Sequence, residues 1–385
     1  MMNEVTCGVC SKCCNHKQHS FPFDSFITSD CMPFGGSYTL FSCAGCGVIQ
    51  AVNSVEYASD VASIYKNYSM FYQGSGMEQK ILSNGKLGRR SNALVEYLSN
   101  SGLLFDGAKV LDVGCGNGDF LRNLSGNGNY TLDGYEYDES SFDLLNDVPG
   151  FRQLMCGSFD EINESYDLIV LIHSLEHFFQ PKEVLQALKR ILKINGKVVL
   201  QVPNPLENPF DLIIVDHVFH FTPMSLESLA ANSGFGIERL STQVATREIT
   251  MILSQNSQME KTNCLSTSDG ERIVSYVIKW FEVFIGDVLV ALRDKSTEVA
   301  LFGTSIGGIW LNSMFPNAFS YFVDEDDSRV GRTLFGKKVL SMNDIPSGAV
   351  VVIPIAPLVA DGIRERLLAM GYCAISPRRY EPMQE

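Results

Sequence analysis

The chain has 385 residues, 45% hydrophobic and 19% charged, and a formal net charge of −14. That length is roughly two to three domains' worth, and the acidic balance excludes a broad, sequence-independent nucleic-acid footprint, which needs clustered cations. The longest apolar run, AVVVIPIAPLVA (Ala349 to Ala360), is too short and too broken by proline to span a bilayer, so no membrane partner is expected.

In chain order the first landmark is cysteine: seven of the 11 cysteines fall within the first 46 residues. CGVC (Cys7 to Cys10) and CAGC (Cys43 to Cys46) are separated by 32 residues. Two such knuckles are the four-thiolate arrangement of a closed structural zinc site, so Cys7, Cys10, Cys43 and Cys46 are the expected ligands, with no coordination position left for catalysis. Cys13, Cys14, Cys31, His16 and His19 are rival ligands, because Cys10 and Cys13 also form a C-x-x-C. A metal-free reactive dithiol is the other reading. The opening MMNEVTCGVC lacks the basic flank and apolar stretch of a signal peptide, which predicts a cytoplasmic location and reduced thiols.

Residues 54–105 read as helices and turns rich in tyrosine, as in YKNYSMFYQGSG (Tyr65 to Gly76). Next, the apolar runs KVLDVG, NYTLDGYEYD, YDLIVLI and KVVLQVP alternate with helical patterns such as PKEVLQALKRILK (Pro181 to Lys193), which an Asn195-Gly196 turn is expected to close. Strands alternating with helices predict an α/β fold with a doubly wound, mainly parallel, Rossmann-like sheet. A polar stretch, residues 254–270, reads as a linker. Beyond it a long apolar-striped helix (Arg272 to Leu292) leads into EVALFGTSIGGIW and SYFVDEDD, a second strand, glycine turn and helix followed by an acid-tipped strand. The expected division is a zinc-binding module at 1–53, a central domain with helical lead-in at 54–253, the linker, and a C-terminal Rossmann-like domain at 271–385.

VLDVGCGNGDF (Val110 to Phe120) sets Gly114, Gly116 and Gly118 where a buried strand turns into a helix. Glycine there permits positive φ and close approach of a ligand to the backbone. The dinucleotide fingerprint wants its third glycine where Asp119 stands, which disfavours a pyrophosphate. A ligand with an amino-acid tail fits better, since its ammonium needs a carboxylate or carbonyls and its carboxylate can use amides at the helix start, and Asp112 is counted among the expected cofactor contacts. The next strand ends in GYEYD, and Glu136 is placed to accept hydrogen bonds from two ribose hydroxyls.

HSLEH (His173 to His177) matches H-x-x-E-H, a pattern by which one class of zinc peptidase sets its ligands a helical turn apart. Here it stands on a strand exit rather than inside a long helix, so a peptidase is not expected. A histidine buried without metal is the plain alternative.

Together DVGCGNG, Glu136, GSFDEI (Gly157 to Ile162), YDLIVLIHSLEHFFQP and ILKINGKVVLQVPNP resemble the class I S-adenosylmethionine-dependent methyltransferases. The resemblance implies S-adenosylmethionine as cofactor, Ser158 and Phe159 beside its adenine, and the His173–His177 loop facing its methionine group and the acceptor. Over nearly the whole chain the order of modules is similar to that of the zinc-containing sugar C-methyltransferases, which act on nucleotide-linked keto-deoxysugars. In that family the four cysteines hold zinc and the C-terminal domain helps to bind the nucleotide-sugar. FDLIIVDHVFHFTPMSLESL (Phe210 to Leu229) sits where the family carries Tyr-His-Glu-His: Asp216 and His217 fall on the Glu-His pair, and His177 falls on the histidine near the keto group. The family tyrosine is Ile214 here, His220 is additional, and the family's Pro-Trp-Asn keeps only Pro354.

Methyl transfer from a sulfonium is an in-line displacement, so a protein has to align the carbon with the acceptor and remove a proton from the nucleophile. Carbon next to a ketone needs a base and a donor to the developing enolate oxygen. A cluster of His177, Asp216, His217 and His220 suits that case, with His217 as the expected base and Asp216 and His177 in support. The expected function is methyl transfer from S-adenosylmethionine to a carbon alpha to a ketone of a nucleotide-linked deoxysugar, by a monomer or homodimer. O-methylation of a sugar or small natural product is the alternative, and an inert cofactor-binding scaffold a third reading.

Overall fold

The run YDLIVLI is apolar on both faces, as a strand covered on both sides must be, and it lies in the middle of the largest sheet. The structure is a computed structural model that describes residues 6–11, 17–66, 68, 80–83, 86–255, 269–294 and 296–379.

The N-terminal module contains β1 (Lys17–Ser20), β2 (Ser25–Ile27), β3 (Pro33–Gly35), β4 (Thr39–Ser42) and β5 (Ile49–Ala51). Then follow α1 (Val55–Lys66), the antiparallel hairpin β6 (Lys80–Ser83) and β7 (Lys86–Arg89), and α2 (Arg90–Asn100). Helices and turns alone were expected between residues 54 and 105, so the hairpin is an addition.

The central unit runs β8 (Lys109–Val113), α3 (Asp119–Ser125), β9 (Thr131–Tyr135), α4 (Phe142–Leu145), β10 (Phe151–Met155), β11 (Tyr166–Ile172), α5 (Pro181–Arg190) and β12 (Leu192–Pro203). It continues through β13 (Phe219–His220), α6 (Pro223–Asn232), β14 (Gly236–Ser241) and β15 (Glu248–Ser254). The seven-stranded sheet has the order β10-β9-β8-β11-β12-β15-β14. The first five strands are parallel, and β15 is antiparallel to both its neighbours. Because β8 pairs with β9 on one side and β11 on the other, the strand order reverses between β8 and β11. Ligands of open α/β sheets bind at such a switch point, outside the strands' carboxyl ends.

Helix α5 starts on a proline at N1 and buries Val184, Leu185 and Leu188. It stops at Arg190, three residues short of expectation, because the chain has already entered the sheet: Tyr166 N–H donates to Ile191 O and Leu192 pairs with Tyr166. Asn195-Gly196 therefore lies within β12, at an irregularity in its pairing with β11, rather than closing a helix.

Helix α7 (Asp269–Ala291) precedes the second parallel unit: β16 (Val299–Phe302), α8 (Ile306–Met314), β17 (Tyr321–Val323), β18 (Thr333–Leu334), β19 (Lys337–Leu340), β20 (Val350–Val352), α9 (Pro357–Ala369) and β21 (Cys373–Ile375). The order β18-β19-β17-β16-β20-β21 makes β16 a second switch point. The three units share apolar surface. Phe26 and Ile27, Phe210 and Leu212, Phe281 of α7 and Trp310 of α8 belong to one buried cluster, and Trp310 Nε1–H donates to Ser25 O at 2.9 Å. No helix among the described residues is long and apolar enough to cross a membrane.

Candidate active site

Strand β8 ends in the glycine turn. Gly114, Gly116 and Gly118 all have positive φ, at 79°, 53° and 80°. A Cβ on Gly114 would lie 2.5 Å from Ser174 Cβ, and one on Gly118 would lie 2.3 Å from Leu145 Cδ2. Gly116 N–H donates to Glu136 Oε1 at 2.6 Å, and Tyr137 N–H donates to Glu136 Oε2 at 3.0 Å. Asp112 is buried, and its Oδ1 has no hydrogen-bond partner among the described residues. Burial, with Glu136 close by, holds the Asp112 carboxyl well above its usual range, and burial likewise raises Glu136. An unpartnered acceptor, a glycine cradle and a second carboxylate beside it fit the ammonium, backbone contacts and ribose of S-adenosylmethionine. Ser158 and Phe159, expected at the adenine, do not line the cavity at this turn. They border a separate depression with Phe178 and Arg190, and the Phe159 ring stacks on Tyr135 with centroids 4.2 Å apart.

Beside the glycine turn, β11 ends in HSLEH. His173 has φ 49°, and Leu175–His177 forms a short 3-10 turn, so the loop sits on a strand exit as its sequence context implied. Ser174 Oγ–H donates to Val113 O at 2.7 Å, clamping the loop to the end of β8. His173 Nε2 lies 3.0 Å from Glu248 Oε1, which also meets Arg90 Nε at 2.5 Å. Burial alone would raise Glu248, yet Arg90 and His173 hold it down to about 2.

The histidines expected at the acceptor are drawn together, with one partner changed. His217 Nδ1 and His220 Nδ1 donate to the two oxygens of Asp211, at 2.8 and 2.7 Å. Asp216 was the expected partner of His217. Its carboxylate instead accepts from Ser29 N–H at 2.8 Å and Ser29 Oγ–H at 2.5 Å, which ties the segment to the N-terminal module. His177 Nδ1 donates to the Asp216 backbone carbonyl at 2.9 Å. The His177 and His217 rings meet edge to face, with centroids 4.8 Å apart. His220 is fully buried between Asp211 and Tyr38, whose hydroxyl lies 3.0 Å from His220 Nε2, so it does not reach the cavity. Burial and the neighbouring His217 lower His177 below its ordinary value. Burial also opposes charge on His217, but the adjoining Asp211 carboxylate outweighs it and raises His217 to about 9. Asp211 is held below its usual range despite its burial, by His220 and His217.

A cavity of about 280 Å³ joins these parts. Asp112, Gly114, His173, His177 and His217 line it from the central unit, Ser29 from the N-terminal module, and Ser305, Gly307 and Arg329 from the C-terminal unit. Both switch points thus open onto one space. Arg329 is only 7% exposed; its Nη1 donates to Thr304 Oγ1 at 3.2 Å and Asp324 Oδ2 at 3.4 Å, and its Nε stands 3.7 Å from Asp326 Oδ2.

The four knuckle cysteines also converge: their sulfurs all lie within 4.8 Å of one another, with Cys7 to Cys46 at 3.5 Å and Cys10 to Cys43 at 3.6 Å. Zinc–sulfur bonds of about 2.3 Å in a tetrahedron set sulfurs about 3.8 Å apart, so the set fits zinc. Val9 N–H and Gly45 N–H donate to Cys7 Sγ and Cys43 Sγ, at 3.4 and 3.3 Å. Hydrogen bonding among the four pulls the Cys7 thiol down to about 4 and pushes Cys46 up. Of the rival ligands, Cys31 is buried elsewhere and raised to about 12 by burial, and His19 Nε2 bonds Ser42 Oγ at 3.1 Å. Cys13, Cys14 and His16 lie outside the described residues.

Residues 85–240 match the model of a methyltransferase domain. Ubiquinone biosynthesis O-methyltransferases of Pseudomonas savastanoi pv. phaseolicola and Pseudomonas syringae pv. syringae are each 28% identical over 127 residues, covering 30% of this chain and 54% of each relative. The chain thus spans about half the length of these relatives. Among solved structures, a TehB-like S-adenosylmethionine-dependent methyltransferase from Corynebacterium glutamicum is 18% identical, covering 52% of this chain and 96% of that one at a TM-score of 0.34. The magnesium protoporphyrin IX methyltransferase of Synechocystis, solved with S-adenosylmethionine bound, is 17% identical, covering 42% and 76% at a TM-score of 0.33.

Proposed function

We propose that this chain, whose residues 85–240 form a class I S-adenosylmethionine-dependent methyltransferase domain, methylates a carbon alpha to a ketone in a nucleotide-linked deoxysugar. The observation that carries the reading is the shared cavity, in which the cofactor turn, the paired histidines and a buried arginine of the C-terminal unit border one space. In this reading Asp112, Gly114, Gly116, Gly118, Glu136 and His173 hold the cofactor. The acceptor's reacting end lies against His177 and His217, and its phosphates lie toward Arg329 and the start of α8. Asp211 replaces Asp216 as the carboxylate that orients His217, and Asp216 serves to fasten the segment to Ser29. Ser158 and Phe159 stay adenine neighbours in the proposal, reached once the Phe159 ring yields. One structural zinc at Cys7, Cys10, Cys43 and Cys46 completes it.

Carbon alpha to a ketone loses its proton only if charge on the oxygen is stabilised, so the histidine pair has two tasks, proton removal and oxygen polarisation. The experiment uses deuterated solvent with S-adenosylhomocysteine in place of the methyl donor. The wild type should exchange the alpha proton of a nucleotide-linked keto-deoxysugar, and His217→Asn should lose both exchange and methyl transfer, by about 10²- to 10⁴-fold, while keeping cofactor affinity. Near wild-type turnover in His217→Asn refutes the assignment. O-methylation is the second reading, favoured by the named relatives. It predicts methyl transfer without any exchange.

A further inference from the structure

Glu176 is 1% exposed, and neither of its carboxylate oxygens has a hydrogen-bond partner among the described residues. Its nearest basic neighbour, His173 Nδ1, stands 3.5 Å away. A carboxylate stripped of water needs compensation, since burying an unpaired charge is costly. Its other neighbours are the acceptor histidines: an oxygen of Glu176 and one ring nitrogen each of His177 and His217 lie within 4.8 Å of one another.

The two imidazoles are already held in the manner of metal ligands. His177 Nδ1 donates to the Asp216 carbonyl and His217 Nδ1 donates to the Asp211 carboxylate, which leaves Nε2 as the free ligand atom of each ring. Ligating histidines nearly always have their second nitrogen engaged in this way, which fixes tautomer and ring orientation. Two imidazoles, each able to bind a cation in place of a proton on Nε2, and one carboxylate, next to a cavity that leaves coordination positions open, form a donor set for a first-row divalent cation.

We propose that Glu176, His177 and His217 bind one divalent cation of the Mn²⁺, Fe²⁺, Co²⁺ or Zn²⁺ class, with Asp211 orienting a ligand, and that its open positions receive an oxygen of the acceptor. The inference rests on the reading of this cavity as the acceptor site and revises one step of it: with both nitrogens of each ring engaged, the histidine pair meets the acceptor's oxygen through a cation, and the acceptor's proton leaves to a base other than the pair. H-x-x-E-H then supplies two of three ligands, Glu176 and His177, and His217 comes from the distant segment before β13. The site is separate from the cysteine cluster, whose four sulfurs would close the coordination of an ion of their own.

The test uses the full chain with its cysteine-bound metal retained and Mn²⁺ alone as probe, because Mn²⁺ favours nitrogen and oxygen over thiolate. Electron paramagnetic resonance titration should show one saturable Mn²⁺ per chain. Glu176→Gln and His177→Asn should each weaken it at least about tenfold, and Asp211→Asn, which removes the orienting carboxylate, by about 10- to 100-fold. Calorimetry with S-adenosylhomocysteine on the same samples reports the fold and the cofactor site independently, so a failed metal site and a failed methyltransferase reading give different patterns. In the wild type, substoichiometric Mn²⁺ should broaden the His177 and His217 ring resonances, which locates the ion even where a variant does not fold. Absence of saturable binding, binding unchanged in both ligand variants, or unbroadened His177 and His217 signals overturns the proposal.

Discussion

Glu136, held by Gly116 N–H at the glycine turn, and Glu248, which lines the cavity beside Arg90 and His173, yield separate predictions. Replacing Glu136 by Ala removes the expected ribose acceptor and should weaken S-adenosylhomocysteine by about 1 to 3 kcal/mol, the worth of hydrogen bonds to a charged group. Calorimetry checks it, and unchanged affinity refutes it. Glu248 is held at about 2 in the folded chain against an ordinary value of 4.5. Its carboxylate therefore stabilises the fold fully above pH 4.5, and that contribution, on the order of 3 kcal/mol, drains away as pH falls from 4.5 toward about 2. Glu248→Gln should flatten the loss of denaturant resistance between pH 5.5 and pH 3.5, and an acid limb identical to wild type would contradict the pairing. The glycine turn and Glu136 were legible in the sequence because a tight turn restricts residue type and the acid follows at a fixed distance. Asp211 was not. It lies six and nine residues before its histidines on an irregular segment, where no periodicity marks a partner, and the adjacent Asp216 offered a simpler pairing.

At the scale of elements, the cysteine knuckles and the His217–His220 segment are mechanically joined. Strand β13 is the fourth strand of the N-terminal sheet, in the order β1-β4-β5-β13, with Phe219 opposite Gln50 and His220 opposite Ile49. A Cβ on Gly8 would lie 2.5 Å from Phe219 Cζ, so the first knuckle presses directly on this strand. Metal analysis should give about one zinc per chain, and Cys43→Ser should abolish it and lower the melting temperature by several degrees or more, since structural zinc contributes folding energy outright. Metal content that survives Cys43→Ser would contradict the assignment. The convergence of the four cysteines was legible because each C-x-x-C turn aims two sulfurs the same way, whereas the pairing of β13 with β5 joins positions about 170 residues apart. The strand alternation that predicted a parallel sheet was equally legible. The end of α5 was not, because pairing of Leu192 with Tyr166 decides it, and helical periodicity alone runs past that point.

At the scale of the whole molecule, two mainly parallel sheets turn their switch points toward one cavity, and the apolar cluster shared by β2, the Phe210–Val215 segment, α7 and α8 holds them in that relation. The measurement that bears most directly on this is incubation of the full chain with isotopically labelled S-adenosylmethionine and a panel of nucleotide-linked sugars and keto-deoxysugars, read by mass and then by NMR of the product. The expected result is a single methyl added to a nucleotide-linked keto-deoxysugar, on the carbon next to the ketone. A methyl found on oxygen, or label passing to no nucleotide-linked sugar at all, would contradict it.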